Sequence, residues 1–287
     1  MDFQLTEQQK LFKKTVREFA EKEIKPLAPK IDKEEYFPWE MYKKMGKLGL
    51  MSMTVPKKYG GAGIDKISYM IALEEISRVC GSTGITVEAH NSLGVGHIYE
   101  KGTEDQRKKY LPKLLHGEAI AAWALTEPNA GSDAASLQTT AILEGDEWVL
   151  NGTKQFITSG DIATVTTVMA KTDKALGAKG ISAFIVEKDM PGFTVGVLED
   201  KLGLRGSHTA ELIFEDCHIP KNQLLGDTGR SSRASGTTRP SSDTARSAPW
   251  CAACSRTCRS CRGCGSLRST RWRPTTISWP RSPRRGG

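Results

Sequence analysis

The sequence predicts a multi-domain α and β protein: an N-terminal all-α helical domain over residues 1–117, a middle antiparallel β domain over 118–228, and a disordered or frameshifted tail over 229–287. Two observations predict it. Apolar residues recur at a helical spacing up to Glu118 and at every second position after it, which is the change from a helix period to a strand period. Beyond Gly229 the sequence loses Lys, Glu, Val, Phe, Tyr, Met, Asn, Gln and His, and keeps one leucine and one isoleucine. So little apolar surface cannot offset the chain entropy of folding.

The helices can be justified in order. Thr6 with Gln9 reads as a capping box, and Leu11, Phe12, Val16, Phe19, Ala20 and Ile24 follow at helical spacing until Pro26 and Pro29 limit the run. Pro38 opens a short helix carrying Met41, Met45 and Leu48, and Gly49 ends it. Ile67, Met70, Ile71, Leu73 and Ile76 give a third helix from Lys66 to the neighbourhood of Cys80, and a fourth runs from Ser82 to Tyr99. Thr103 with Gln106 caps a fifth that carries Tyr110, Leu111, Leu114 and Leu115. The glycines of Tyr59–Gly63 do not form a phosphate loop, because no strand precedes them and no Lys-Ser or Lys-Thr follows. His90 and His97 lie two turns apart, too far for a shared metal, and read as packed or cavity-facing histidines.

Strands follow over residues 120–126, 139–143, 147–150, 164–171, 181–187, 193–197 and 210–214, which are short, β-branched and separated by Gly, Asp and Asn turns. Gly145-Asp146 reads as a hairpin turn. The strand number suits a sandwich or a small barrel. Arg205 reads first as a structural ion-pair partner, and His208, Cys217 and His218 do not make a metal cluster, because alternate strand positions face opposite sides.

Charge divides the same way. Thirteen arginines and one acid lie beyond Gly229, which leaves 28 basic and 32 acidic residues before it, a net of −4. The formal charge of +8 therefore belongs to the tail and is no nucleic-acid footprint of the folded part. No stretch approaches the roughly 20 apolar residues of a membrane span, and the N-terminus lacks the apolar run of a secretory signal. Two cysteines before the tail, Cys80 and Cys217, are too few for a disulfide framework. The expectation is a cytoplasmic protein with no nucleic-acid and no membrane partner.

One stretch implies chemistry. After the strand that ends near Thr126, Pro128 removes a donor and Asn129, Ala130 and Gly131 make a small-residue turn, where main-chain amides and the Ser132 hydroxyl can approach an anion. As a bare pattern, the same turn serves equally well as a surface turn closed by an Asx or Ser motif. Leu125, Thr126, Glu127, Ala130, Gly131, Ser132, Asp133 and Ser136 resemble the first signature of the acyl-CoA dehydrogenase family. Lys154-Gln155-Phe156-Ile157-Thr158-Ser159-Gly160 resembles that family's strand beside the flavin ring. The likeness runs from Met1 to about Thr228 and is nearest the short-chain, butyryl-CoA-type enzymes.

The resemblance implies FAD as cofactor, an acyl-CoA substrate oxidised to its trans-2-enoyl-CoA, an electron-transferring flavoprotein as acceptor, and a homotetramer. Carried over residue by residue, Trp123, Leu125 and Thr126 flank the isoalloxazine ring, and Ser132 meets the pyrophosphate or the substrate's pantetheine. Phe156 covers the flavin, where the family often has Trp, and Ile157 and Thr158 supply contacts near N5. No catalytic residue is assigned, because the family's glutamate base lies in a C-terminal helical domain that residues 229–287 do not resemble. Glu127 is given a structural or flavin-side role, and no metal is expected. Two alternatives stand beside this reading: a non-catalytic flavin- or acyl-CoA-binding protein, and an Arg/Cys-rich metal- or nucleic-acid-binding tail built on Cys251, Cys254, Cys258, Cys261 and Cys264.

Overall fold

A computed structural model describes residues 4–228, all within one unit of the chain. The tail and its cysteines lie outside the described residues. Helix α1, Glu7–Phe19, starts on the expected capping box and runs into a π-helical turn, Ala20–Ile24. Pro29 then falls at the start of α2, Ala28–Glu34, where its missing amide costs nothing. The sequence reading missed this helix, having taken the proline only as a stop. Helix α3 spans Trp39–Lys47 and α4 spans Lys66–Val79.

Glu75 on α4 is fully buried, and Arg17 reaches it with two bonds of 2.8 Å, which fixes α1 against α4. Three of the apolar positions assigned to these helices face outward instead: Leu11, Ile67 and Met70 are all more than half exposed. Helical spacing alone does not say which of two adjacent apolar rows meets the core. On α4 the row containing Ala72, Glu75 and Ile76 does.

The fourth expected helix is three pieces, α5 (Gly81–Glu88), a π-helical stretch (Ala89–Val95) and α6 (Gly96–Lys101). The wider turn presents two buried polar side chains. Asn91 accepts from the Met53 amide and donates to the Leu50 and Val87 carbonyls, each at 2.9 Å. His90 accepts from the Ala121 amide on Nδ1 and faces the Leu114 carbonyl with Nε2, both at 3.2 Å. Helix α7, Glu104–Leu115, begins on the second capping box, and its Gln106 also donates to the carbonyls of Asn222 and Leu224.

Eight strands follow: β1 (Ala121–Ala124), β2 (Thr140–Glu144), β3 (Glu147–Thr158), β4 (Val165–Lys171), β5 (Ile181–Glu187), β6 (Phe193–Leu198), β7 (Thr209–Pro220) and β8 (Leu224–Leu225). They form one sheet in the order β6-β7-β3-β2-β4-β5-β8, with β1 on β4. Most pairs are antiparallel, and Gly145 at φ 61 turns β2 into β3 as expected. The β1–β4 pair is parallel over four residues, which corrects a wholly antiparallel reading. Parallel pairing needs a long connection, and the chain from Leu125 to Thr164, which contains β2 and β3, supplies it. β5 takes one edge of β4, so β1 and the start of β2 share the other.

Three apolar cores result, one among α1 to α4, one on the sheet around Leu150, Phe184 and Phe214, and one between α6–α7 and β1, β4 and β5. Gly94 makes the last possible, since a Cβ there would stand 2.6 Å from the Ala121 side chain. No helix among the described residues is long and apolar enough to cross a membrane.

Two outcomes are expected. Asn91→Ala strands one donor and two acceptors in the core and should lower unfolding free energy by about 3 kcal/mol, read from the urea midpoint. Burial pushes His90 down to about 4. Its folded pKa lies below the unfolded value of about 6.5, so stability should fall as pH drops from about 6.5 toward 4, by an amount on the order of 3 kcal/mol. Thermal melts across that window should show a shallower pH slope in His90→Gln, once its own loss of stability is subtracted.

Candidate functional site

Lys154 stands in the middle of β3 with its side chain wholly out of solvent. An ammonium there requires a counter-charge and further acceptors. Glu127 provides the charge at 2.7 Å and the Leu125 carbonyl provides an acceptor at 3.1 Å. The carboxylate is itself saturated, because the amides of Gln138 and Thr139 donate to it at 2.5 and 3.0 Å. Burial alone would raise the Glu127 pKa, but the Gln138 amide and the Lys154 ammonium outweigh it and hold the carboxyl below its ordinary value. Burial draws Lys154 below the usual lysine value against the attraction of Glu127.

This pair brings the two sequence motifs together. The segment after β1 is tied to β3 a second time by the Gln155 amide, which donates to the Thr126 carbonyl at 2.8 Å. Between them the chain makes a tight turn in which Glu127 and Ala130 exchange main-chain bonds of 3.0 and 3.1 Å, leaving Pro128 and Asn129 exposed at its tip. The Ala130 amide is therefore spent inside the turn, so the expected run of anion-facing amides is shortened by one. Gly131 and Ser132 are exposed, with open space where a Gly131 Cβ would stand.

The remaining site residues follow from the strands. Trp123 lies in β1 opposite Thr167, stacks on His97 with ring centres 5.3 Å apart, and buries an indole Nε1 that has no partner among the described residues. Leu125 and Thr126 are half-buried at the end of the same strand. In β3 the register against β7 slips between Lys154 and Ile157, so Gln155 and Phe156 together face one partner residue, a β-bulge. Phe156 takes φ 58 there and is 56% exposed.

A phenylalanine in the left-handed region is strained by roughly 1 kcal/mol or more, and it persists because the clamp beneath it fixes the bulge. Ile157 is buried in the sheet core. Thr158 is half-buried, and Ser159 takes φ 60 immediately after it.

The sequence reading named the ring-bearing residues but not the Lys154–Glu127 pair or the His97 stack. A lone lysine inside a β-branched run was the available signal. No linear pattern says which acid it meets. Arg205 is the structural partner it was expected to be, bonding Glu35 at 2.7 Å. The larger cavity, about 620 Å³ between α7 and the β4–β5 side of the sheet, touches none of the site residues. The Phe156 ring is exposed, Thr126 and Thr158 are half-buried, and the Trp123 indole N–H is buried with no partner among the described residues; groups of this kind suit a flat aromatic ligand.

The family model described as "Acyl-CoA dehydrogenase, N-terminal domain" matches residues 6–118, and that described as "Acyl-CoA dehydrogenase, middle domain" matches residues 122–217. The chain is 53% identical over 230 residues to a short-chain specific acyl-CoA dehydrogenase of Clostridium acetobutylicum, covering 80% of this chain and 61% of that protein. It is 40% identical, with a TM-score of 0.75, to the butyryl-CoA dehydrogenase structure from Megasphaera elsdenii, covering 80% of this chain and 60% of that one. A glutaryl-CoA dehydrogenase from Mycobacterium smegmatis in complex with FADH2 is 36% identical with a TM-score of 0.74, covering 79% and 58%. The chain thus spans about three fifths of the length of these relatives.

Lys154→Met should leave the Glu127 carboxylate buried without its cation and destabilise the protein by about 3–5 kcal/mol. Adding Glu127→Leu should recover only part of that loss, because the Gln138 and Thr139 amides then lack an acceptor. Equilibrium urea unfolding of the unsubstituted chain and the two variants separates these outcomes.

Proposed function

The chain belongs to the acyl-CoA dehydrogenase family, and from that premise we propose that residues 1–117 and 118–228 are the helical and middle domains of an FAD-dependent enzyme that converts a short-chain acyl-CoA to its trans-2-enoyl-CoA. One observation carries the reading: the exposed, left-handed Phe156 beside the clamped turn. The chemistry that FAD would supply here, when bound, is acceptance of a hydride from the β-carbon of the substrate. Phe156 offers a face for a flat ring system to stack on. The Thr158 hydroxyl and the Ile157 main chain lie next to it and supply donors where ring-nitrogen charge develops. Trp123, Leu125 and Thr126 line the other edge, and the free indole N–H of Trp123 suits a carbonyl acceptor. Ser132, exposed at the turn, is placed for the pyrophosphate or the pantetheine.

Glu127 does not serve as the base in this reading. Its carboxylate already accepts from two amides and an ammonium, and its pKa is held low. Beyond Gly229 the sequence holds a single acid, Asp243. That favours a second reading for the polypeptide of this sequence, a flavin- or acyl-CoA-binding protein with little turnover. The acceptor that the dehydrogenase reading requires is an electron-transferring flavoprotein, and the assembly is a homotetramer.

Titration of FAD into the flavin-free chain should give saturable quenching of flavin fluorescence. Phe156→Ala should weaken that binding by about tenfold, equivalent to about 1.4 kcal/mol of lost stacking. Lack of saturable binding would remove the flavin reading. With butyryl-CoA and an artificial electron acceptor, enoyl-CoA formation should be absent or very slow, and rapid formation would overturn the assignment of Glu127 and the second reading with it.

A further inference from the structure

We propose that His208 is a positioning residue: as an imidazolium it bolts the loop at residues 158–161, which follows the flavin-facing segment of β3, to the helical layer. Its consequence for flavin rests on the function proposed above, whereas its geometry does not. The ring spans two acceptors. Nδ1 faces Asp161 Oδ2 at 2.6 Å, and Nε2 faces the Glu35 carbonyl, at the left-handed end of α2, at 2.7 Å. A carbonyl cannot donate, and neither can an ionised carboxylate, so both ring nitrogens must carry protons for both bonds to exist.

The main chain of the same residue completes the device. The His208 carbonyl accepts from the Ser159 amide at 2.8 Å, so one residue grips both ends of the Ser159–Asp161 turn. Ser159 sits at φ 60 directly after Thr158, and its own carbonyl takes the amides of Ile162 and Ala163. Asp161 is also held through its carbonyl by Lys188 at 2.5 Å, while its second carboxylate oxygen, Oδ1, is buried without a partner among the described residues. A neutral imidazole has one N–H to donate, so deprotonation would break one of the two bonds, and with it the bridge between this turn and the Glu35 carbonyl.

The other charges around the ring do not take over this task. The Glu35 carboxylate is engaged by Arg205, which also senses Asp200 and Asp32, and Lys201 opposes a charge on His208. Phe37 closes the remaining side with its ring edge, 6.1 Å between centres. The hydrogen bond to Asp161 raises the His208 pKa above the ordinary histidine value, over the opposing effects of burial and Lys201. With the folded value above the unfolded one, the bolt is complete below about pH 6.5 and is released as pH rises through the folded value.

An NMR titration of the full chain, labelled at histidine and backbone nitrogen, tests this. His208 should titrate above the ordinary histidine range, and the amides of Thr158, Ser159 and Gly160 should shift with the same midpoint and lose hydrogen-exchange protection above it. Asp161→Asn should lower that midpoint, and His208→Gln should abolish the step at all three amides. A His208 midpoint at or below the ordinary range, or loop amides that ignore it, would overturn the proposal. FAD affinity should fall across the same pH window in the unsubstituted chain and stay flat in His208→Gln. Binding that ignores the window while the loop titrates would also reject the positioning role. A titrating loop in a chain that binds no FAD at any pH would uphold the bolt and reject the flavin reading instead.

Discussion

The buried ion pair of Lys154 and Glu127 is the constraint on which the candidate site depends. An ammonium with no access to water would be very costly alone, and a carboxylate in the same place would be equally so. Each is tolerated because the other is there and because main-chain groups use the remaining capacity: the Leu125 carbonyl on one side, the Gln138 and Thr139 amides on the other. Such a pair adds little net stability compared with a well-packed apolar replacement. Its effect is to fix geometry. It joins the turn after β1 to the centre of β3, and the bulge that exposes Phe156 begins at Lys154 itself. A strained aromatic at the surface needs a rigid base, and this pair supplies it.

The helical layer depends on the sheet through a few buried polar groups rather than through apolar packing alone. His90 ties the π-helical stretch to the first residue of β1, Asn91 holds the Leu50–Met53 segment, and Gln106 and Tyr110 reach the segment around β8 and the end of β5. His90 and His208 illustrate how burial and partners decide the charge of one residue type. His90 has a main-chain amide on one nitrogen and a carbonyl on the other, which suits a neutral ring. His208 has acceptors on both, which suits a cation. Their contributions to stability therefore run in opposite directions with pH.

A ligand face built from one sheet and one turn is open, and the cavity beside α7 lies away from it. Phe156, Gly131 and Ser132 are exposed because nothing among the described residues packs over them. The same face also has no unengaged acid in its signature turn apart from the exposed Asp133, Glu127 being fully committed.

Local rules determined much of this protein before any tertiary contact. Both capping boxes, the hairpin at Gly145-Asp146 and the change from helical to strand period follow from interactions within a few residues, so they were legible in the sequence. The two motifs were legible as well, by their residue order. What the sequence did not determine is what distant segments do to one another. Leu11, Ile67 and Met70 are apolar at helical spacing yet exposed, because the choice of buried row depends on which helix lies alongside. The parallel pairing of β1 with β4 depends on a crossover that no turn motif announces. Lys154 meets Glu127, and His208 meets Asp161 and Glu35, across 27, 47 and 173 positions. Desolvation and hydrogen-bond geometry select those partners only once the chain has closed around them.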